Sequence, residues 1–195
     1  MAATARPNRP PLMTVDEFLA LPGDGTGRIL ELFEGVVRAQ DSASDGHGTI
    51  QANLIREIGS YLKAHRPDCR VVAAPGVQPN LRADWNYRIP EIAVTCTPHR
   101  LDVHKTPHPL VVVEVLSPSN AADTWNNVAL FATLPSVAEI VVVESENVAA
   151  HLLRRDADGT WPKNPTTIEA GSVHLASIDL DLPLAEIYRW TELGT

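Results

Sequence analysis

The sequence predicts a single α/β domain built on a mixed β-sheet flanked by helices. Two segments carry apolar residues at helical spacing and are closed by proline, HGTIQANLIREIGSYLKAH at 47–65 and NAADTWNNVALFATL at 120–134. Short runs rich in β-branched residues lie between and after these segments, which is typical of buried strands. Because helices alternate with groups of strands along the chain, we predict an α/β domain rather than an all-α or all-β fold.

The individual elements follow from local signals. Thr14 and Glu17 form a capping box that begins a short helix, TVDEFLAL, and Pro22 with Gly23 ends it. A turn or short strand around Glu34 and Gly35 leads into a first strand near 35–40, before the long helix. Later strands are predicted near 69–75, 76–82, 89–96 and 109–116, then in AEIVVVES, VAAHLLRRD and SIDLDLPL, with a short helix at the end of the chain.

Composition bounds the class of protein. The 195 residues with 44% hydrophobic content suit one domain, which we expect over 13–195 after a flexible segment at 1–12. No apolar run is long enough for a membrane span, and the start lacks the apolar centre of a signal peptide, so we expect a cytoplasmic protein without membrane contact. The net charge of -8 disfavours broad attraction to nucleic acid. Cys69 and Cys96 are expected to be reduced core thiols.

One carboxylate interrupts the most apolar run of the chain. LVVVEVLSPSN, at 110–120, surrounds Glu114 with four valines and two leucines. An unpaired charge in a buried strand costs far more than a domain's net stability. Glu114 therefore pairs with an arginine, lies at a less buried strand end, or belongs to a functional site.

A second carboxylate falls opposite the first. If 89–96 and 109–116 pair antiparallel across a connection that is symmetric about its centre, residue i opposes residue 205 − i, and Glu91 opposes Glu114. Opposed side chains lie about 5 Å apart on one face, and like charges there repel. The pair therefore needs a cation or a shared proton. A hard divalent cation, Mg²⁺ above all, held by carboxylates, water and substrate phosphate meets this requirement. A register slip of one residue would put the acids on opposite faces.

These elements resemble a known family. MTVDEFLAL, ELFEGVV, a histidine before the long helix, RIPEIAV, LVVVEVLSPS and AEIVVVES resemble, in order, the Uma family of putative restriction endonucleases, which looks like a branch of the PD-(D/E)xK nucleases. The resemblance implies a restriction-endonuclease-like fold, Mg²⁺ or Mn²⁺ as cofactor, a nucleic-acid substrate, with DNA and RNA both open, and a homodimer. Matched by motif, it implies metal ligands at Glu31, Glu91 and Glu114, and catalytic roles for Glu91, Glu114, Asn127 and His47.

Two positions depart from the family pattern. The Asp after Pro90 is replaced by Glu91, which moves the charge one methylene further out. The motif lysine is missing. The (D/E)xK motif places it two residues after the acid, where this chain has Leu116, and Asn127 takes the matching position on the next helix. An amide supplies neither a positive charge nor a base. Lys105, in the long loop TPHRLDVHKTPH, is either an inward-reaching substitute or a solvated loop lysine.

Several alternatives stay open at this stage. His99, His104 and His108 are better explained by a polar loop than by a zinc site, and His47 is either polar surface at a helix start or a site residue. Two functions remain. The acid pair favours a metal-dependent endonuclease that hydrolyses phosphodiesters, whereas the missing lysine and the acidic balance favour a catalytically inactive relative that acts as a binding or regulatory dimeric module.

Overall fold

A six-stranded mixed β-sheet organises the protein. The computed structural model describes residues 11–22, 25, 27–40, 42–101 and 104–194. Most of the segment expected to be flexible, 1–12, lies outside these ranges.

Helices and strands alternate in the predicted manner. The helices are α1 (Val15–Leu19), α2 (Asp45–His65), α3 (Ala121–Phe131) and α4 (Leu184–Ile187), with a 3-10 turn at Ala83–Trp85. The strands are β1 (Leu30–Phe33), β2 (Val36–Ala39), β3 (Arg70–Ala73), β4 (Ile92–Thr95), β5 (Pro109–Leu116), β6 (Glu139–Glu144), β7 (Ala150–Arg154), β8 (Thr166–Ile168), β9 (Ser172–Leu175) and β10 (Leu180–Pro183). No helix among the described residues is long and apolar enough to cross a membrane.

The main sheet has the order β3-β4-β5-β6-β7-β8. Strands β5 and β6 are parallel and every other neighbouring pair is antiparallel. The two parallel strands are central and buried on both faces, which explains their almost continuous β-branched composition. Strands β1 and β2, and likewise β9 and β10, form separate two-stranded hairpins. The predicted mixed sheet with flanking helices is therefore confirmed.

Alternate residues of the central strands face two different cores. Val111 and Val113 of β5 belong to one cluster, together with Leu54 of α2. Val112 of β5 belongs to a second cluster, together with Phe131 of α3. Because side chains two apart along a strand share a face, Glu114 points to the α3 side of the sheet, as Val112 does.

Helix α2 covers the opposite face of the sheet. Its residues Ile50, Leu54 and Ile58 are fully buried and lie in the cluster that contains Val111 and Val113. Their spacing of four residues is the helical one that the sequence predicts. The two long helices therefore enclose the central strands from both sides.

The register of β4 and β5 confirms the predicted pairing. Ile92 opposes Val113 and Ala93 opposes Val112, which is the relation in which residue i opposes residue 205 − i. A shift in this register occurs only at the far end of the pair, between Val94 and Thr95. Continued by one residue in the other direction, the same register brings Glu91 opposite Glu114.

Other expectations are corrected. The run 76–82 is not a strand: Val77 makes one isolated bridge, to Arg88, and a 3-10 turn follows. Pro79 lies in this run and has no N–H to donate to a ladder. The strand expected near 35–40 is β2, and it pairs with β1, which precedes the turn.

The two cysteines are not reduced thiols as expected, since Cys69 and Cys96 form a disulfide. In the antiparallel register of β3 and β4, Arg70 opposes Thr95. Cys69 precedes Arg70 and Cys96 follows Thr95, so both lie one residue beyond this pair at the same end of the ladder. The two cysteines therefore face each other, with their Cα atoms 3.9 Å apart. Strand pairing, rather than proximity in sequence, brings them together.

Candidate functional site

A cavity of about 510 Å³ opens where the parallel strands β5 and β6 end. The loops that follow both strands line it, and this is the edge at which α/β sheets commonly hold ligands. All five residues that the sequence singled out lie on its wall: Glu31, His47, Glu91, Glu114 and Asn127.

Glu114 is the more deeply buried acid of the opposed pair. Its exposed fraction is 5%. Burial, and then the negative charge of Glu91, raise the pKa of Glu114 to about 8. Without a cation the Glu114 carboxyl is therefore mostly protonated at neutral pH.

Glu91 is held by two side chains from the start of α2. The Nε2 atom of His47 lies 2.8 Å from Glu91 Oε1, and Gln51 Nε2 donates to Glu91 Oε2 at 2.8 Å. His47 and Gln51 are four residues apart and so lie on one face of the helix. The Ser44 hydroxyl caps the helix by accepting from the backbone N–H of His47. The beginning of α2 thus fixes the orientation of Glu91.

Arg88 is a buried cation that the sequence reasoning missed. Only 3% of it is exposed. Its Nη1 atom lies 3.2 Å from Glu31 Oε2, and its Nε donates to Asn127 Oδ1 at 2.8 Å. Asn127 Nδ2 in turn donates to Glu114 Oε1 at 3.1 Å. A continuous polar chain therefore runs from Glu31 through Arg88 and Asn127 to Glu114.

The ion pair at the far end of this chain is desolvated. Burial raises the pKa of Glu31, and the positive charge of Arg88 acts against that rise. Burial likewise lowers the pKa of the Arg88 guanidinium, against the attraction of Glu31. Glu31 Oε1 also accepts from the backbone N–H of Ile89 at 2.6 Å. The signal that could have found Arg88 is its place in RIPEIAV, three residues before Glu91.

The wall of the cavity carries more negative than positive groups. Its described residues include two arginines, Arg38 and Arg88, and five carboxylic acids, namely Glu31, Glu91, Glu114, Asp123 and Glu146. A phosphate group entering such a site would meet net repulsion if the acids were ionised. Added cations or protons are needed before an anion can bind here.

The acid pair offers the oxygen donors that Mg²⁺ and Mn²⁺ prefer. In the described part of the chain, the one group of three His, Cys, Asp or Glu side chains with ligand atoms within 4.8 Å of one another is Asp68, Cys69 and Cys96, and its sulfurs are joined in the disulfide. Glu31, Glu91 and Glu114 thus do not bring their oxygens within 4.8 Å of one another, so an ion at the cavity would be held by no more than two of these carboxylates and completed by water. Ligation by Glu31 stays a prediction.

Lys105 does not reach the acid pair. Its Nζ donates to Gln78 Oε1 at 2.5 Å, and it lines a second, separate cavity. Within the described residues of the first cavity wall, the fixed positive charges are those of the two arginines.

Comparisons with known proteins agree with this architecture. A family model described as "Uma2: Putative restriction endonuclease" matches residues 15–185. An uncharacterized protein of Synechocystis sp. is 30% identical over 162 residues, which cover 82% of this chain and 83% of that relative. A crystal structure of a putative nuclease belonging to DUF820, from Anabaena variabilis, superposes with a TM-score of 0.74 at 18% identity and covers 91% of this chain and 98% of that one. At this identity the structural likeness shows the fold.

Proposed function

Because the chain belongs to the Uma2 family, whose members are described as putative restriction endonucleases, we propose that it is a metal-dependent endonuclease of the PD-(D/E)xK type with DNA as its substrate. The observation that carries the proposal is that Glu91 and Glu114 line the same cavity close enough for the charge of Glu91 to raise the pKa of Glu114. Two neighbouring carboxylates need a cation or a shared proton. A phosphodiester that approaches them is stabilised by the cation, because a protonated acid supplies no positive charge.

The acid pair is the proposed metal site. Bound there, Mg²⁺ or Mn²⁺ supplies a water of lowered pKa and a positive charge beside the phosphate. A cation held there would favour the ionised form of Glu114, whose proton would pass to solvent, because the added positive charge opposes the effect of burial. His47 and Gln51 hold both oxygens of Glu91 in place, so Glu91 is oriented before any ion arrives.

Arg88 is proposed to provide the fixed positive charge that the missing lysine would supply. It acts through Asn127, which it holds in the orientation that donates to Glu114. A guanidinium does not lose its proton at physiological pH, so Arg88 stabilises charge and does not serve as a base. Asn127 and Arg88 are therefore positioning residues in this mechanism.

Cleavage assays test the proposal. Plasmid and short duplex DNA are incubated with the full chain in Mg²⁺, Mn²⁺ or EDTA, and cleavage is expected only with metal. Glu91→Gln and Glu114→Gln should each reduce the rate by on the order of 100-fold or more, since removing even a side chain that orients a metal ligand costs roughly 10–100-fold. Glu146→Gln is the matched control, because Glu146 is an exposed acid on the same wall.

Two results would contradict it. Cleavage that persists in EDTA would show that the reaction does not depend on metal. Equal rates in all three variants would show that Glu91 and Glu114 take no part in the reaction. No cleavage by the parent under any condition, with folded protein and bound metal, would instead support the inactive binding module.

A homodimer is also proposed, on the family resemblance and on the edge of the main sheet at β8. Light scattering coupled to size-exclusion chromatography should give twice the chain mass of 21.2 kDa. A monomer mass throughout the micromolar range would rule out this assembly.

A further inference from the structure

A second cavity, of about 230 Å³, lies at the β3 edge of the main sheet and is lined by basic side chains. These are Arg70, Arg100 and Lys105, with His99 and His104 beside them. None of the described residues on its wall is acidic. In a chain with 24 acidic and 16 basic residues, this local balance is the reverse of the average. We call it the basic cavity.

The basic cavity and the acid pair lie on the same face of the sheet. Val72, on the wall of the basic cavity, opposes Ala93, which opposes Val112. Directly opposed residues share a face, and so do residues two apart on one strand. Arg70 is two residues from Val72, and Glu114 is two residues from Val112. Arg70 and Glu114 therefore point to the same side.

Sheet geometry sets the distance between the two sites. From β5 to β3 there are two strand spacings, about 10 Å, and the offset along the strands from the level of Glu114 to Val72 or Arg70 is about 7–13 Å. The sites are thus about 12–16 Å apart. One strand of a duplex rises ~3.4 Å per phosphate along the helix axis and also winds around that axis, so successive phosphates lie farther apart than this rise and the span corresponds to about two or three nucleotides.

Backbone contacts hold the wall of the basic cavity in place. The N–H of Thr106 donates to the carbonyl oxygen of Gly76 at 2.7 Å, and the Tyr87 hydroxyl donates to that of His104 at 2.5 Å. Arg70 donates to the carbonyl oxygen of Thr97. Hydrogen bonds at Thr106, His104 and Arg70 therefore hold the described residues around the cations in place.

We propose that the basic cavity binds a backbone phosphate of the same nucleic-acid strand whose scissile phosphodiester lies at the acid pair. This inference rests on the proposed function. Arginine and lysine are the side chains that bind phosphate, the first in a fixed fork and the second as a point charge. Contacts of this kind set the position of a strand and carry no base sequence information. The basic cavity therefore gives an acidic protein a local site of positive charge that can bind its polyanionic substrate.

Salt-dependent binding tests the inference. Fluorescence anisotropy of a labelled 20-base-pair duplex is measured against salt concentration in EDTA, with the full chain and with Arg70→Gln, Lys105→Gln and the double variant. Each lost phosphate contact should lower the slope of log K against log salt by about 0.9, and so weaken binding to every sequence alike. Because the cavity holds one phosphate, the double variant should lose about 0.9 in slope, and each single variant should lose up to that amount.

Matched variants separate charge from structure. Arg70→Lys keeps the charge and should keep the parent slope, and Lys163→Gln removes an exposed lysine outside the cavity and should also keep it. Circular dichroism melts confirm that the variants are folded. An unchanged slope in the folded double variant would overturn the proposal. Competition by inorganic phosphate as effective as competition by an oligonucleotide of equal phosphate content would also overturn it, because the site would then serve free phosphate.

The outcome is separable from that of the proposed function. If the parent cleaves DNA and the double variant shows no change of slope, only phosphate binding at the basic cavity is contradicted. A changed slope in a protein that never cleaves DNA would support phosphate binding at the basic cavity and contradict the proposed nuclease activity.

Discussion

Replacing Glu114 by glutamine tests the physical basis of the site. The substitution keeps the shape of the side chain and an oxygen that accepts from Asn127, and it removes the ionisable group. We expect Glu114→Gln to be more stable than the parent in metal-free buffer, by an amount that grows with pH.

The magnitude follows from the pKa of Glu114, which burial and Glu91 raise from 4.5 to about 8. Between these values the unfolded chain has lost the proton and the folded protein keeps it, so the parent's unfolding free energy falls by about 1.4 kcal/mol per pH unit. This contribution of Glu114 to stability is fully present below pH 4.5 and is lost as pH rises to 8. The variant should therefore gain almost nothing at about pH 4.5, about 2 kcal/mol at about pH 6 and about 5 kcal/mol above about pH 8.

Urea unfolding in EDTA at pH 5, 6.5 and 8.5 measures this difference. Glu146→Gln, a change at an exposed acid, serves as the reference and should show no such trend. A gain for Glu114→Gln that is the same at every pH would refute the reasoning. So would a loss of about 3–5 kcal/mol at every pH, because that result belongs to an ionised Glu114 whose cationic partner is left buried and unpaired.

The remaining predictions concern the buried cation and the disulfide. Arg88→Met should lower the unfolding free energy by about 3–5 kcal/mol, because Glu31 would be left buried without its partner, whereas Arg38→Met, at an exposed ion pair, should cost less than about 1 kcal/mol; equal losses in urea unfolding would show that Arg88 is not a buried partner. Reduction of the bond between Cys69 and Cys96, which are 27 residues apart, should cost about 3–4 kcal/mol; melting curves that coincide with and without dithiothreitol would contradict this.

The acid pair could be predicted because its geometry depends on neighbouring strands. Pro90 and Pro109 bound the two runs, and the connection between them is long enough to bring the runs together in antiparallel register. The irregularity between Val94 and Thr95 lies beyond the pair and leaves its register intact. Family resemblance then directed attention to Asn127, which does lie against Glu114.

Arg88 was missed because its role depends on a distant segment. Its partner Glu31 belongs to β1, which a bridge between Leu32 and Tyr87 brings beside it, and no periodicity in the sequence indicates that contact. Gln51 was within reach of sequence reasoning, since it lies one helical turn after His47. The disulfide was within reach as well, because one cysteine begins the predicted strand 69–75 and the other ends the predicted strand 89–96, and antiparallel pairing of these strands brings those ends together.

Helix α2 has a consequence that reaches beyond the cavity. Near its start it holds Glu91 through Gln51, and two residues later, about 3 Å along the axis, Asn53 Nδ2 donates to the carbonyl oxygens of Ile187 and Arg189 at 3.0 and 2.6 Å. Helix α2 therefore contacts both the acid pair and the segment after α4, where Trp190 is 74% exposed. Glu91 and the segment after α4 are therefore anchored to the same helix, so a substitution that shifts the start of α2 would disturb both contacts together.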